Sequence, residues 1–161
     1  MRPVFRFDGF IFTSLISGLI LTIAPLPDAI DAWRPAWLAM LVLYWTLNQP
    51  ERFGLLGAWL AGIAMDTLTG TLLGQHALAL MVIAFINLKL HLRIRVFPKG
   101  QQSVTILMLV LVYEFLIFWV DGVAGYTTSG MARWLPVLSS AALWIPLVAL
   151  MKWAMVLGRR A

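Results

Sequence analysis

Apolar runs of near membrane-spanning length recur along the whole chain of 161 residues. A helix needs about 17–25 apolar residues to cross the hydrocarbon core of a bilayer, and short polar segments rich in proline, glycine or charge separate the runs. The sequence therefore predicts an all-α polytopic membrane protein with about six transmembrane helices, in a single domain at residues 1–161. We predict the helices at residues 9–24, 33–47, 53–68, 77–90, 104–120 and 134–157.

The composition excludes several other classes of protein. Hydrophobic residues make up 61% of the chain and charged residues only 12%, so a water-soluble domain is excluded. The absence of cysteine removes disulfides, thiolate metal sites and cysteine nucleophiles together. The net charge of +5 resides mainly in short segments between apolar runs, where it sets topology. We therefore expect the lipid bilayer, and no nucleic acid, as a partner.

The distribution of lysine and arginine predicts that both termini are cytoplasmic, because positively charged segments stay on that side of the membrane. Of the twelve basic residues, only Arg34 and Arg133 then lie outside. The inner positions are Arg2, Arg6, Arg52, Lys89, Arg93, Arg95, Lys99, Lys152, Arg159 and Arg160.

Two features of this topology leave alternatives open. The second predicted helix is short for a span, so it either borrows flanking residues or is tilted and partly shielded by protein. A basic loop, Lys89 to Lys99, is expected after the fourth helix. It either sets topology or also attracts anionic lipid or a cytoplasmic protein.

The third predicted helix carries a stripe of small residues. Gly54, Ala58, Gly62 and Asp66 are four residues apart and share roughly one face. In lipid, small residues let two helices approach closely and form dispersion contacts. This face therefore packs against another helix of the same chain or against a separate protein.

Asp66 ends this stripe with a carboxylate, which is costly inside a membrane and should face protein or water. One interpretation has Asp66 bind a partner or ligand. The other has it cap the turn at Thr67 to Gly70 or pair with His76.

Glu114 lies in the middle of the fifth predicted helix and is the other intramembrane carboxyl group of interest. It is either protonated because it is desolvated, or paired with an internal donor such as Tyr44, Asn87 or Lys89.

Neither a metal site nor catalytic machinery is predicted. His76 and His91 are expected at different membrane levels, without a second ligand at metal-binding spacing. Ser129, Ser139 and Ser140 have no histidine placed to activate them. We therefore expect no metal, no cofactor and no enzyme activity.

The second to fourth predicted helices contain a recognisable series of proline, aromatic, glycine and acidic residues. The series is Pro35, Tyr44-Trp45, Pro50, Gly54, Gly62, Asp66, Gly70, Leu73-Gly74 and Ala77-Leu78. In order and spacing it resembles the pattern of the rod shape-determining protein MreD family.

The resemblance implies a non-enzymatic, multi-pass component of the bacterial inner membrane. It would belong to the elongation complex that couples MreB filaments to peptidoglycan synthesis and determines cell shape. The implied partners are the single-span protein MreC, most directly, and then MreB, RodA and a class B penicillin-binding transpeptidase. The resemblance also implies a fold similar to the substrate-binding (S) subunits of energy-coupling-factor transporters.

Two functional hypotheses follow. The first is a membrane scaffold that presents helix faces and loops to MreC and the synthases. The alternative is a substrate-binding or transport subunit with a small-molecule pocket near Asp66 and Glu114, which requires several convergent polar groups.

Overall fold

The computed structural model describes residues 5–126 and 130–160, which form helices and no strands. Arg2 and Ser129, used above, lie outside the described residues. The helices are α1 (Phe5–Ile23), α2 (Asp28–Asp31), α3 (Trp37–Asn48), α4 (Leu55–Thr69), α5 (Gln75–Val96), α6 (Lys99–Val123), a 3₁₀ turn (Met131–Trp134) and α7 (Leu135–Arg160). The six predicted helices correspond to α1 and α3 to α7, so the all-α polytopic fold class is confirmed.

Three helical segments of the described chain are long and apolar enough to cross a membrane. These are α5, α6 and the segment Met131–Leu157. The apolar helices at Gly9–Ile23, Trp37–Asn48 and Leu55–Thr69 are shorter. The 12 residues of α3 span only about 18 Å at 1.5 Å per residue, against a hydrocarbon core of about 30 Å.

The shortness of α3 is explained by its position at the centre of the fold. Every residue from 38 to 47 is buried, and α3 contacts α1, α5, α6 and α7. The sequence of α3 is apolar on all sides, as expected for a helix surrounded by other helices. Of the two alternatives left open for the second helix, the structure shows shielding by protein and not an extension into flanking residues, and neighbouring helices replace lipid around it.

Hydrogen bonds between buried side chains attach α3 to two of its neighbours. The indole Nε1 of Trp45 donates to Ser14 Oγ on α1 at 2.9 Å. The amide of Asn87 on α5 donates to the Leu43 carbonyl at 2.8 Å and to Thr46 Oγ1 at 2.7 Å. Such bonds fix register between helices where lipid offers no competing partners.

The predicted basic loop is wrong, because residues Lys89 to Arg95 are helical. Helix α5 continues to Val96, and α6 begins at Lys99 directly after Pro98. Long basic side chains can extend from a helix end toward the membrane surface, so their charge does not require a loop. Pro98 lacks the N–H needed to continue α5 and is the N-cap of α6.

Helix α5 defines the two ends of the bundle used below. His76 lies in its first turn. At its other end, Val96 is followed two residues later by Pro98 and then by Lys99, the first residue of α6. We call these the His76 end and the Lys99 end. In the orientation predicted from charge, the Lys99 end is cytoplasmic.

Candidate functional site

Helices α4 and α5 pack at close range through the small-residue stripe predicted on α4. A Cβ built on Gly62 would lie 2.5 Å from the backbone nitrogen of Ala77 on α5. Ala58, one turn earlier, is also buried. The inner part of the stripe therefore contacts a helix of the same chain, and a partner helix cannot occupy that face unless α5 is displaced.

The Asp66 carboxylate caps the start of α5. Its Oδ2 accepts hydrogen bonds from the backbone N–H of Gly74 at 2.8 Å and, more weakly, of Ala77 at 3.4 Å. Its Oδ1 accepts from the backbone N–H of His76 at 2.9 Å. Because the N-cap residue Gly74 has no side chain, an acceptor from α4 satisfies these terminal N–H groups. The carboxylate caps α5, the following helix, and not the turn at Thr67 to Gly70.

Asp66 also pairs with the side chain of His76. Their Oδ1 and Nδ1 atoms are 2.7 Å apart, and Thr71 Oγ1 donates to the same carboxylate oxygen at 3.1 Å. Asp66 is only 1% exposed, so it is the most completely buried charged group of the site. Backbone donors, a hydroxyl and an imidazole together offset the cost of burying it.

Two glycines at positive φ shape the segment between α4 and α5. Gly70 ends α4 with φ 67°, and Gly74 precedes α5 with φ 99°. Both angles are strained for residues with a Cβ. These glycines direct the chain back toward Asp66, which explains their place in the family-like pattern.

The remaining motif residues lie in the core, in turns or beside a cavity. Tyr44 and Trp45 are fully buried in α3, with ring centroids 5.1 Å apart in an edge-on arrangement. Pro50 lies in the turn between α3 and α4, and Gly54 is the N-cap of α4. Pro35 precedes α3 and lines the cavity described next.

A cavity of about 490 Å³, with both polar and apolar residues in its lining, opens at the His76 end of the bundle. We call it the Glu114 cavity. Asp66 is not among its lining residues, because it lies behind His76. The lining is Thr22, Asp31, Ala32, Arg34, Pro35, Ala36, Met65, His76, Tyr113, Glu114, Ile117, Ala132, Arg133 and Pro136.

Two arginines anchor the loops around this cavity. Arg34 pairs with Asp31 at 2.7 Å and donates to the carbonyls of Thr22 and Ala24 near the end of α1. Arg133 pairs with Asp121 at 2.7 Å. From the sequence both arginines were assigned only to topology. The Arg34–Asp31 pair is local in sequence, whereas the Arg34 bonds to the end of α1 and the Arg133–Asp121 pair join residues 10–12 positions apart.

Glu114 is half-buried on α6 and lines the cavity. Within the described part of the chain, no donor forms a hydrogen bond with its carboxyl group; Arg133 acts on it electrostatically. Of the two sequence-based alternatives, pairing with an internal donor such as Tyr44, Asn87 or Lys89 is not observed among the described residues. The Asn87 amide is bonded to α3, the Tyr44 hydroxyl has no hydrogen-bond partner within residues 5–126 and 130–160, and the Lys89 ammonium lies over the ring of Phe85. Glu114 is thus the cavity's unpaired carboxyl group.

The fold and these sites define an all-helical membrane protein whose buried polar groups mainly cap helices and join them. Among residues 5–126 and 130–160, no three histidine or acidic side chains are placed to hold a metal ion.

The family model described as "rod shape-determining protein MreD" matches residues 1–154, so the chain belongs to the MreD family. The resemblance seen in the sequence is therefore confirmed. Over 111 residues, the chain is 32% identical to the Rod shape-determining protein MreD of Haemophilus influenzae. That match covers 69% of this chain and 68% of the relative. No solved structure matches the chain. Its family has a role in rod-shape determination and is not a known enzyme family.

Proposed function

We propose that this chain is a non-enzymatic scaffold of the bacterial elongation complex, spanning the inner membrane several times with both termini in the cytoplasm. In this proposal it binds MreC directly and helps to couple MreB filaments to peptidoglycan synthesis. RodA and a class B penicillin-binding transpeptidase belong to the same complex. Family membership supports the role in cell shape, and an apolar groove on the surface supports direct binding of a partner helix.

The groove lies between α1 and α4 and has a volume of about 350 Å³. Its lining is almost entirely apolar, and we call it the α1/α4 groove. It consists of Ile11, Phe12, Leu15, Ile16, Leu19, Arg52, Phe53, Gly57, Leu60, Ala61 and Ala64.

The α4 side of this groove is suited to close packing of a transmembrane helix. Ala61 and Ala64 are one turn apart and present small side chains to the groove, on a different face of α4 from Gly62. The ring of Phe53 covers Gly57, the next small residue on this side. Large side chains at the edges, including Phe12 and Leu60, are more than half exposed. Because helix association in lipid depends on close van der Waals packing, small residues flanked by large ones favour a single-span partner such as MreC.

Site-specific photo-crosslinking in cells tests this location. A photoreactive residue at Leu60 is expected to crosslink to MreC, because Leu60 lines the groove. The same residue at Trp59 is the control, since Trp59 is exposed on the same helix but does not line the groove. Equal crosslinking from both positions, or crosslinks to lipid alone at Leu60, would contradict this assignment.

The Glu114 cavity supports a second function, that of a small-molecule-binding membrane subunit. Its volume of about 490 Å³ falls within the range of about 300–1,000 Å³ that is usual for ligand sites. His76, Tyr113 and Glu114 all line it, so several polar groups converge. Native mass spectrometry of the purified chain and of Glu114→Gln tests this function. A co-purifying small molecule that is lost in the variant would support it, and an empty wild-type protein would count against it.

A further inference from the structure

A separate cavity of about 380 Å³ lies at the Lys99 end of the bundle, opposite the Glu114 cavity. We call it the Lys152 cavity. Four helices contribute to it: α3, α5, α6 and α7. Its lining is Leu47, Asn48, Arg95, Phe97, Lys99, Gln102, Val148 and Lys152. Leu47, Gln102 and Val148 are buried, whereas the three basic residues are exposed, so the positive charges lie toward the solvent-accessible side.

The charged lining of this cavity is entirely positive. Arg95, Lys99 and Lys152 come from three different helices, and no acidic residue is among the lining residues. Lys99 and Lys152 line the same cavity, so their like charges repel each other. Bringing like charges together costs free energy, and a bound anion would offset that cost.

Lys152 is the residue that topology alone explains least well. Helix α7 continues from Lys152 to Arg160, which places Lys152 about 12 Å before the end of the helix at 1.5 Å per residue. Arginines at the end of α7 suffice to set topology, and a lysine inside a membrane helix is unfavourable. Lys152 lines the same cavity as Arg95 and Lys99, where its charge can take part in binding an anion.

The neutral polar groups of the lining are held in place by backbone acceptors. Gln102 Nε2 donates to the Ile94 carbonyl at 2.9 Å, and Asn48 Nδ2 donates to the Tyr44 carbonyl at 2.9 Å. These bonds fix the walls of the cavity. Strong donors for a ligand then come from the three basic side chains.

We propose that the Lys152 cavity binds a phosphate-bearing anion. The guanidinium of Arg95 can hold two phosphate oxygens side by side, and the ammonium groups of Lys99 and Lys152 supply compact positive charges. A phospholipid headgroup and a free inorganic phosphate both carry this chemistry. The site lies away from the α1/α4 groove and does not depend on the proposed scaffold function.

Binding to the purified full-length chain in a neutral detergent tests the proposal. Native mass spectrometry would measure the affinity for dioctanoyl phosphatidylglycerol, with dioctanoyl phosphatidylcholine as a lipid of no net charge. Thermal unfolding with increasing inorganic phosphate would measure the free anion. Saturable binding of phosphatidylglycerol identifies a lipid headgroup as the source, whereas stabilisation by phosphate without lipid binding identifies the free anion. Either result supports the site.

Charge-removing variants distinguish a built site from diffuse attraction. Arg95→Gln and Lys152→Gln each remove one charge from the cavity, and each is expected to raise Kd about fivefold or more. Arg93→Gln is the matched control, since it removes the same charge from the same end of α5 but does not line the cavity. Its Kd should stay within about twofold of the wild-type value.

Thermal unfolding without added anion provides a second readout. Lys152→Gln relieves repulsion with Lys99, so its Tm should equal or exceed that of the wild-type protein, while phosphate or lipid should raise Tm less in the variant. Equal loss of affinity in Arg93→Gln and Lys152→Gln would overturn the proposal. So would the absence of saturable binding for every phosphate-bearing probe.

Discussion

Replacing Asp66 by asparagine preserves the shape of the side chain and removes the charge and one acceptor oxygen. In the native protein, both carboxylate oxygens accept from backbone N–H groups of α5, at 2.8 Å from Gly74 and 2.9 Å from His76. An asparagine carboxamide has one oxygen and one NH₂ group. Whichever way it is oriented, its NH₂ faces at least one of these N–H groups.

The size of the effect follows from the buried position of this group. A buried donor left without an acceptor costs about 1–3 kcal/mol, and the substitution also removes the charge-assisted pair with His76. A hydrogen bond to a charged group contributes about 1.5–3 kcal/mol. We therefore expect Asp66→Asn to lower the free energy of unfolding by about 3 kcal/mol, which lowers Tm by about 6–12 °C for a chain of this length.

Thermal unfolding of the purified variant in detergent measures this change. Asp31→Asn is the matched control, because Asp31 pairs with Arg34 but its side chain is 55% exposed. Exposed pairs contribute about 0–1 kcal/mol, so the control should shift Tm by less than about 4 °C. If the Tm of Asp66→Asn also shifts by less than about 4 °C, the hydrogen bonds from Asp66 do not stabilise the start of α5. Loss of partner binding at an unchanged Tm would then indicate a direct role for Asp66 in binding.

Four further substitutions test other parts of the structure. Gly62→Leu is expected to prevent close packing of α4 on α5, so size-exclusion chromatography should show loss of monodisperse protein; a well-behaved peak would refute the close contact. Gly74→Ala should cost about 1–2 kcal/mol because of its positive φ, measured as Tm against wild-type protein. Trp45→Phe should cost about 2 kcal/mol through the lost bond to α1 and the lost volume, and an unchanged Tm would contradict its anchoring role. Ala64→Leu should fill the α1/α4 groove and reduce MreC co-purification at least about tenfold without lowering Tm. Ala142→Leu, at an exposed position on α7, is the control and should change neither MreC co-purification nor Tm.

Hydropathy and local spacing account for the parts of the fold that could be predicted. Lipid exposure demands long apolar segments, so the number and order of the six main helices can be read from the sequence. The shortness of α3 left two alternatives open from the sequence, and partial shielding by protein was one of them. Helix ends were predicted less accurately, because α5 and α6 extend into basic and polar residues that remain helical at the membrane boundary.

The functional sites could be predicted only where their residues are close in sequence. Asp66 and His76 are ten residues apart, and their pairing was one of the sequence-based alternatives. The donors that decide the role of Asp66 are backbone N–H groups at the start of α5, which cannot be identified from a pattern of side chains. Glu114 was recognised as unusual, but its neighbour Arg133 belongs to another part of the chain and is brought near it by packing.

The rigid centre of the fold limits where partners and ligands can bind. Helix α3 is surrounded on all sides, and the inner face of α4 is closed by α5, so neither offers free surface without unfolding part of the bundle. Three peripheral places in the described part of the chain stay open to partners or ligands. They are the α1/α4 groove, the Glu114 cavity and the Lys152 cavity, which share no lining residue. Substitutions at separate sites usually have additive effects on stability. Loss of MreC binding, small-molecule binding or anion binding can therefore be assigned to one surface each, and a failure at one leaves the tests of the other two valid.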